Sequence, residues 1–319
     1  QVPGAWSNRL WRLETEAGRF AVKELRGTAG PAAHGWRRHL QVPMRVELAA
    51  WTAGTIPMAE PIAAGTGGWL AEVPATGGRR AAVRCHRWVP GVPATAVAPG
   101  PEMAADVGRS LAAIHALGLP APETTATGLA PLSPAAWRRT VAATRRTGLS
   151  WAGELAGLTP LVEALAERLE ALRRQGRPML RSHRDLDPKN AVVRPDGTVA
   201  LLDWDYAGPT LAASELLATA VSFAGGAGEP DAACVHACVR GYLDAGGRAQ
   251  APDLLDTATI HQESLAWLWL NVDRCLGRRL RDQTDARLAR HLVQELIGSF
   301  ATEVATIDGW ASRLPQRRP

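Results

Sequence analysis

His183-Arg184-Asp185-Leu186-Asp187-Pro188-Lys189-Asn190 runs into the short apolar segment Ala191-Val192-Val193. Pro195-Asp196-Gly197 follows, which is turn chemistry, and a second apolar run from Val199 to Leu202 leads to Asp203-Trp204-Asp205. This stretch predicts an acidic loop, a hairpin and a second acidic site at the end of the far strand. A hairpin of this length folds back and returns Asp203 close to Asn190. Asp185, Asn190 and Asp203 are then expected to converge on one small volume.

Two carboxylates and an amide in that arrangement suit phosphoryl transfer. One carboxylate stands near an attacking hydroxyl, while a hard cation that bridges phosphates takes oxygen ligands from a carboxylate and an amide. A lone aspartate in a loop is ordinarily just solvated. Here the complete octapeptide, the hairpin and Asp203 together outweigh that reading. The octapeptide is similar to the H-R-D-x-x-x-x-N pattern of kinase catalytic loops at every fixed position. That resemblance implies that Asp185 is the base or hydroxyl-orienting group and that Asn190 and Asp203 hold Mg2+.

Taken with Asp203-Trp204-Asp205-Tyr206-Ala207-Gly208-Pro209, the segment from His183 to Asp187 resembles the aminoglycoside phosphotransferase family, small-molecule kinases of protein-kinase-like fold. The resemblance implies an α+β, two-lobed architecture. Residues 1–91 would form a nucleotide-binding lobe and hinge, with a small antiparallel sheet and one helix. Residues 92–319 would form a larger, mainly helical catalytic and acceptor-binding lobe. Two departures argue against a protein kinase: Asp187 stands where those enzymes usually carry lysine, and Ala121-Pro122-Glu123 lies upstream of the catalytic loop, where it cannot close an activation segment.

Length and composition agree with two lobes, each with its own core. The chain has 319 residues, of which 46% are hydrophobic and 21% charged. No apolar run is long enough to span a bilayer and no secretory signal precedes the first motif, so a cytoplasmic enzyme is expected. Cys85, Cys234, Cys238 and Cys275 show no metal-ligand spacing; Cys234 and Cys238 share one helical face and read as packing. A net charge of +5 gives a weak preference for anions. No basic stripe is interleaved with aromatics, which sets nucleic acid aside as a partner. Of the 36 basic residues only Lys23 and Lys189 are lysine, and only Asn8, Asn190 and Asn271 are asparagine. Lysine is a compact point charge that arginine does not freely replace at a tight phosphate site, so both lysines merit attention.

Arg9 to Thr15 and Phe20 to Leu25 predict a hairpin. The Ala21-Val22-Lys23 ending resembles the strand that presents the kinase lysine to the nucleotide phosphates. Glu47, in a predicted helix from Met44 to Trp51, is then expected to pair with Lys23. Residues 26–42, rich in Gly, Pro, Ala and Arg, read as a connection. Gly4-Ala5-Trp6-Ser7-Asn8 is the expected phosphate-covering loop, with Ser7 and backbone N–H groups as contacts. The hinge is expected at Arg87-Trp88-Val89-Pro90-Gly91, with backbone groups of Arg87 and Val89 reading the base of ATP or GTP. His183 and Arg184 are expected to hold the loop's shape. Asp205 reads as loop support or a water-mediated metal contact, and Lys189 either steadies phosphate charge or faces outward.

The remaining chain reads as helices, among them 155–175, 232–243, 254–276 and 284–307. On the helix from 254 to 276, Leu265, Leu268, Val272 and Cys275 predict the core stripe. Glu263, Trp267, Asn271 and Arg274 fall on another stripe that could face the acceptor; the alternative is Trp267 in the core and Glu263 in solvent. The sequence supports a small-molecule hydroxyl acceptor, amine-bearing, which suits an aminoglycoside-like or other antibiotic and hence resistance. Choline-, homoserine- or sugar-directed kinases share the motifs, and a nucleotide-binding protein without catalysis is the rival class. Oligomeric state is not legible.

Overall fold

A computed structural model describes residues 8–25, 36–65, 67–75, 80–121, 132–226, 228–278 and 283–314. The strands are β1 (Arg9–Thr15), β2 (Gly18–Leu25), β3 (Pro61–Ile62), β4 (Ala71–Pro74), β5 (Arg80–Arg87), β6 (Val92–Pro93), β7 (Leu180–Ser182), β8 (Ala191–Val193), β9 (Val199–Leu201) and β10 (Gly208–Thr210). The helices are α1 (Trp36–Ala53), α2 (Pro101–Ala116), α3 (Pro134–Arg146), α4 (Ala152–Gly157), α5 (Thr159–Gln175), α6 (Ala212–Ser222), α7 (Ala232–Asp244), α8 (Thr257–Cys275) and α9 (Gln283–Arg313). This is the α+β, protein-kinase-like fold. None of the described helices is long and apolar enough to cross a membrane.

Residue contacts divide the chain into two compact units. The first holds residues 1–121, 180–210 and 232–248; the second holds 122–179, 211–231 and 249–319.

In the first unit, β1 and β2 form the expected hairpin. The sheet runs β1-β2-β5-β3, with β4 also paired to β5. Every pairing is antiparallel, and Lys23 lies directly opposite Arg84. α1 begins at Trp36 and carries Pro43 inside it, so residues 36–42, expected as connection, are helical. An internal proline forfeits one backbone hydrogen bond. Burial of Leu40 against Leu25 and Ala82 outweighs that loss here.

β8 and β9 close the predicted hairpin, Ala191 opposite Leu201 and Val193 opposite Val199. Its turn is held by Gly197 N–H donating to Arg194 O at 2.9 Å and by Asp196, whose Oδ1 accepts from Thr198 N and Oγ1 at 3.0 and 2.7 Å. β6 extends this sheet against β8. Gly91, at φ +144°, permits that approach, because a Cβ there would collide with Val193 O. α2 and α7 pack backbone to backbone through glycines: a Cβ on Gly108 would meet Cys238 O, and one on Gly241 would meet Ala105 O. Cys234 and Cys238 are buried on α7, and burial pushes the Cys238 thiol up to about 12. His115 Nδ1 lies 2.9 Å from Tyr242 Oη and thereby ties α2 to α7.

The second unit is a helical core built from Trp137, Leu155, Val162, Leu165, Leu265, Leu268, Val272 and Phe300, among others. The helix expected over 155–175 is broken at Leu158 into α4 and α5, with Pro160 in the first turn of α5. Proline is favoured there because the first turn's N–H groups have no intrahelical partner. Arg177, just past α5, binds Asp253 at 2.5 and 3.2 Å and Asp256 at 2.6 Å. Asp253 Oδ1 in turn accepts from Leu255 N and Asp256 N at 2.8 and 3.0 Å, ordering the approach to α8. Asp308 of α9 accepts from Thr257 Oγ1 at 2.7 Å and His261 Nε2 at 2.9 Å, and pairs with Arg168 at 2.6 Å, which links α5, α8 and α9.

Candidate active site

The catalytic-loop sequence is shaped from beneath by a buried histidine. His183 Nε2 lies 2.9 Å from Leu202 O, and Nδ1 accepts from Asp185 N–H at 3.3 Å. Those partners require the neutral tautomer with its proton on Nε2. The ring packs on Trp204, centroids 4.6 Å apart. Arg184 (φ +66°) and Asp203 (φ +56°) are the non-glycine residues with positive φ among the described residues. Each such conformation costs on the order of 1–3 kcal/mol and persists only where its surroundings enforce it. Arg184 also stacks on the Tyr206 ring at 4.8 Å. The shape-holding expected of these two residues therefore corresponds to identifiable contacts.

Asp185 presents its carboxylate to two loop neighbours. Lys189 Nζ lies 2.9 Å from Oδ1, and Asn190 Nδ2 donates to Oδ2 at 2.8 Å. Asn190 Nδ2 also donates to Asp185 O at 2.8 Å, which points the amide's oxygen the other way. The Lys189 side chain remains half exposed while it pairs with Asp185. The Leu202 N–H donates to Asn190 O at 2.8 Å, so the hairpin returns Asp203 beside Asn190.

Lys23 joins this group from β2. Its Nζ lies 2.6 Å from Asp203 Oδ1 and 2.7 Å from Asp205 Oδ2. Burial opposes its charge, but Asp205 and Asp203 outweigh burial and hold the ammonium above its ordinary range. Asp205 is the more heavily engaged acid. Its Oδ1 takes Arg84 Nη1 at 2.6 Å and its Oδ2 takes Asn8 Nδ2 at 3.4 Å. Burial alone would raise its carboxyl; the charges of Lys23 and Arg84 hold it down at about 2. Asp203 is the more exposed of the pair.

Contrary to the expectation from sequence, Glu47 does not pair with Lys23. Its carboxylate binds Arg84 Nη2 through Oε2 and His86 Nε2 through Oε1 at 2.8 Å. The register explains the correction. Arg84, opposite Lys23 on the same face of the sheet, occupies the space between that lysine and α1. Burial and the neighbouring Arg84 charge push the His86 imidazole down to about 3, so it is neutral and donates. Arg84 and His86 are partners that the sequence reading did not single out; Asn8, expected in the phosphate-covering loop, contacts Asp205. Arg84 and His86 had a signal: at every second position after Ala82 along β5 they share its buried face, which puts a charge there.

The other expected positions divide. Ser7 lies outside the described residues. Arg87 N–H is engaged by Glu60 O at 2.8 Å, and its side chain by Glu60 at 2.6 Å and by the Phe20 ring, so that N–H is not presented to a base. Trp88 N–H donates to Arg19 O at 2.9 Å, Trp88 carries the Arg12 guanidinium on its ring, and Val89 is half-buried beyond it. Glu263, Trp267 and Asn271 lie on α8 in the second unit. Glu263 and Trp267 are half-buried, with Arg274 over the Trp267 ring at 5.6 Å. Asn271 is 0% exposed; it donates to Trp267 O at 2.9 Å and accepts from Arg274 at 3.0 Å, so it is a packing residue rather than part of an outward stripe.

Among the described residues no group of three or more His, Cys, Asp or Glu is arranged to hold a metal ion. A magnesium site of the kind expected does not need one, since Mg2+ is commonly held by one or two carboxylates together with substrate phosphates. The exposed carboxylate of Asp203 and the amide oxygen of Asn190 are the right donors, hard and oxygen-based, and they fit that ion.

A strand lysine, a loop with an aspartate and an asparagine, and a hairpin that returns a further aspartate beside that loop are parts that a kinase-like phosphotransferase uses. The model of the phosphotransferase enzyme family, APH, matches residues 1–254, and the chain belongs to that family. It is a small-molecule phosphotransferase. No curated protein sequence matches it. Among solved structures it is similar to a spectinomycin phosphotransferase in complex with ADP and spectinomycin, at 15% identity and a TM-score of 0.65 over 95% of this chain and 92% of that one. It is also similar to an amicoumacin kinase in complex with AMP-PNP, Ca2+ and Ami, at 11% identity and 0.62 over 94% and 87%. A choline kinase from Streptococcus pneumoniae follows at 12% identity and 0.54 over 94% and 92%. At such identities the likeness is one of fold.

Proposed function

We propose that the protein transfers the γ-phosphoryl group of ATP or GTP to a hydroxyl of a small molecule in the cytoplasm, with residues 1–91 as nucleotide lobe and hinge and 92–319 as catalytic and acceptor lobe. The observation that carries the reading is the pairing of Lys23 with Asp203 at 2.6 Å and of Asn190 with Asp185 at 2.8 Å, the two pairs held side by side by the hairpin that the Leu202 N–H closes on Asn190 O at 2.8 Å. Asp185 accepts or orients the proton of the acceptor hydroxyl. Lys189, against its other oxygen, fixes the carboxylate's direction. Lys23, anchored by Asp205, serves the nucleotide phosphates as Asp203 turns to the cation, and backbone groups of Arg87 and Val89 read the base. Asn190 and Asp203 hold Mg2+, which when bound neutralises charge on the phosphates. The nucleotides and Ca2+ bound by the similar structures support a nucleotide and a divalent cation here.

A polycationic aminoglycoside would need an acidic site. Of the acids that could supply it, Asp253 and Asp256 share the single Arg177, and Asp273 pairs with Arg278 at 2.9 Å, so two of these three negative charges are offset. That favours an acceptor with few positive charges: a lightly charged antibiotic, as in resistance, or an amino alcohol or sugar metabolite.

The test is nucleoside diphosphate release with ATP and GTP in Mg2+, across antibiotics, amino alcohols and sugars. Asp185→Asn serves as control and should turn over about 10²- to 10⁴-fold more slowly, the usual worth of a general base. Acceptor-stimulated release that survives in Asp185→Asn refutes the assignment of the base. Nucleotide binding without release for any acceptor favours a non-catalytic protein.

A further inference from the structure

Lys23 and Arg84 face each other across β2 and β5. Directly opposite side chains on one face lie within about 4.5–5.5 Å at Cβ, and like charges in such a pair repel. This pair is held by acids on both sides. Asp205 bridges the two cations, 2.7 Å from Lys23 and 2.6 Å from Arg84. Glu47 binds the other terminal nitrogen of Arg84 and also His86. Arg84 and Glu47 are each only 2% exposed. Arg84 Nε is buried without a partner, so the guanidinium sits where it serves the two carboxylates and not where it would satisfy itself best.

We infer that Arg84 is a positioning residue for phosphoryl transfer: it ties Glu47 of α1 to Asp205 and, through Asp205, sets the place of Lys23. The inference rests on the reading of Lys23 as the phosphate ligand. A direct Glu47–Lys23 pair is replaced by a relay, Glu47–Arg84–Asp205–Lys23. The relay also divides the labour of the two aspartates. Asp205 is held by Arg84, Lys23 and Asn8, while Asp203 is held by Lys23 and lies more exposed. Asp203 is the acid free to turn toward a cation, and Asp205 stays as the anchor that keeps Lys23 in place when it does so. Arginine suits the task because its planar fork binds two carboxylates at fixed angles, which a lysine cannot do.

The experiment is a double-mutant cycle read by ADP affinity, with calorimetry on the full chain carrying Lys23→Met, Arg84→Met or both. If Arg84 acts through Lys23, Arg84→Met weakens ADP binding about tenfold in the parent and leaves it unchanged in the Lys23→Met background. Equal losses in both backgrounds overturn the inference. Arg84→Met leaves the Glu47 charge buried with only His86, so Arg84→Met/Glu47→Gln removes that charge and should show the same weakened affinity in a folded protein. Arg84→Lys, which reaches one carboxylate at a time, should restore part of the affinity; a side chain needed only to fill space would be replaced as well by methionine. Lys23→Met that binds ADP as tightly as the parent is a separate result, and it refutes the reading of Lys23 itself.

Discussion

Asp308→Asn removes one charge from the junction of α5, α8 and α9 and leaves its volume nearly unchanged. In the parent, burial alone would raise the Asp308 carboxyl; hydrogen bonds from His261, Thr257 and Arg168 outweigh it and hold the group at about 2. The difference from an ordinary aspartate near 3.8 corresponds to about 2 kcal/mol of stability at neutral pH. Because the folded-state value is depressed, that contribution is complete above the unfolded value. It is lost as pH falls through the folded one, in the window from about pH 4 to 2. Urea unfolding of parent and variant should therefore differ by about 2 kcal/mol at pH 7, and by roughly half of that near pH 3, where the aspartate of the unfolded parent is mostly protonated while the folded one is still mostly ionised. A gap that is the same at both pH values would show that the variant acts through packing and not through charge. No gap at pH 7 would show that the three donors contribute nothing net.

Other perturbations have equally direct readouts. Asp203→Ala should abolish divalent-cation-dependent turnover while the thermal midpoint stays within a few degrees, and a normal response to Mg2+ would place the metal elsewhere. Gly91→Ala forces a Cβ onto Val193 O at a positive φ and should destabilise by about 1–3 kcal/mol or more, seen as a lowered urea midpoint. Gly108→Ala drives α2 off Cys238 O, with a cost of similar size; a midpoint equal to the parent's would mean that the two helices can slide apart freely.

The parts of the site that were legible in sequence are local. The hairpin from Asn190 to Asp203 is encoded by its own turn, so the return of Asp203 follows from about a dozen residues. Lys23 was legible because β2 is a short apolar strand after a turn. The partner of Glu47 was not, because it depends on the register of β2 against β5, strands some sixty residues apart, and registers between distant strands leave no local mark. The start of α1 was hidden by Pro43, which argues against helix locally and is overruled by the burial of Leu40. Asn271 misled in the opposite way. A polar residue at helical spacing reads as outward, but here its amide is satisfied by Trp267 O and Arg274 inside the helix packing. The break between α4 and α5 had a signal in Pro160, which the run of leucines on either side outweighed.

The glycine contact between α2 and α7 sets an order of events at the ribosome. Gly108 and Gly241 are 133 residues apart (241 − 108), and neither helix has its seat until the other exists. While the chain emerges, the apolar side of α2, with Val107, Leu111 and Ile114, has no α7 to cover it until residue 244 clears the exit tunnel. Non-local contacts of this span are slow to form, and surface left bare in the interval is where nascent chains associate wrongly. The catalytic loop is made before α7 is, so the first unit acquires its chemistry some fifty residues before it can finish closing around it.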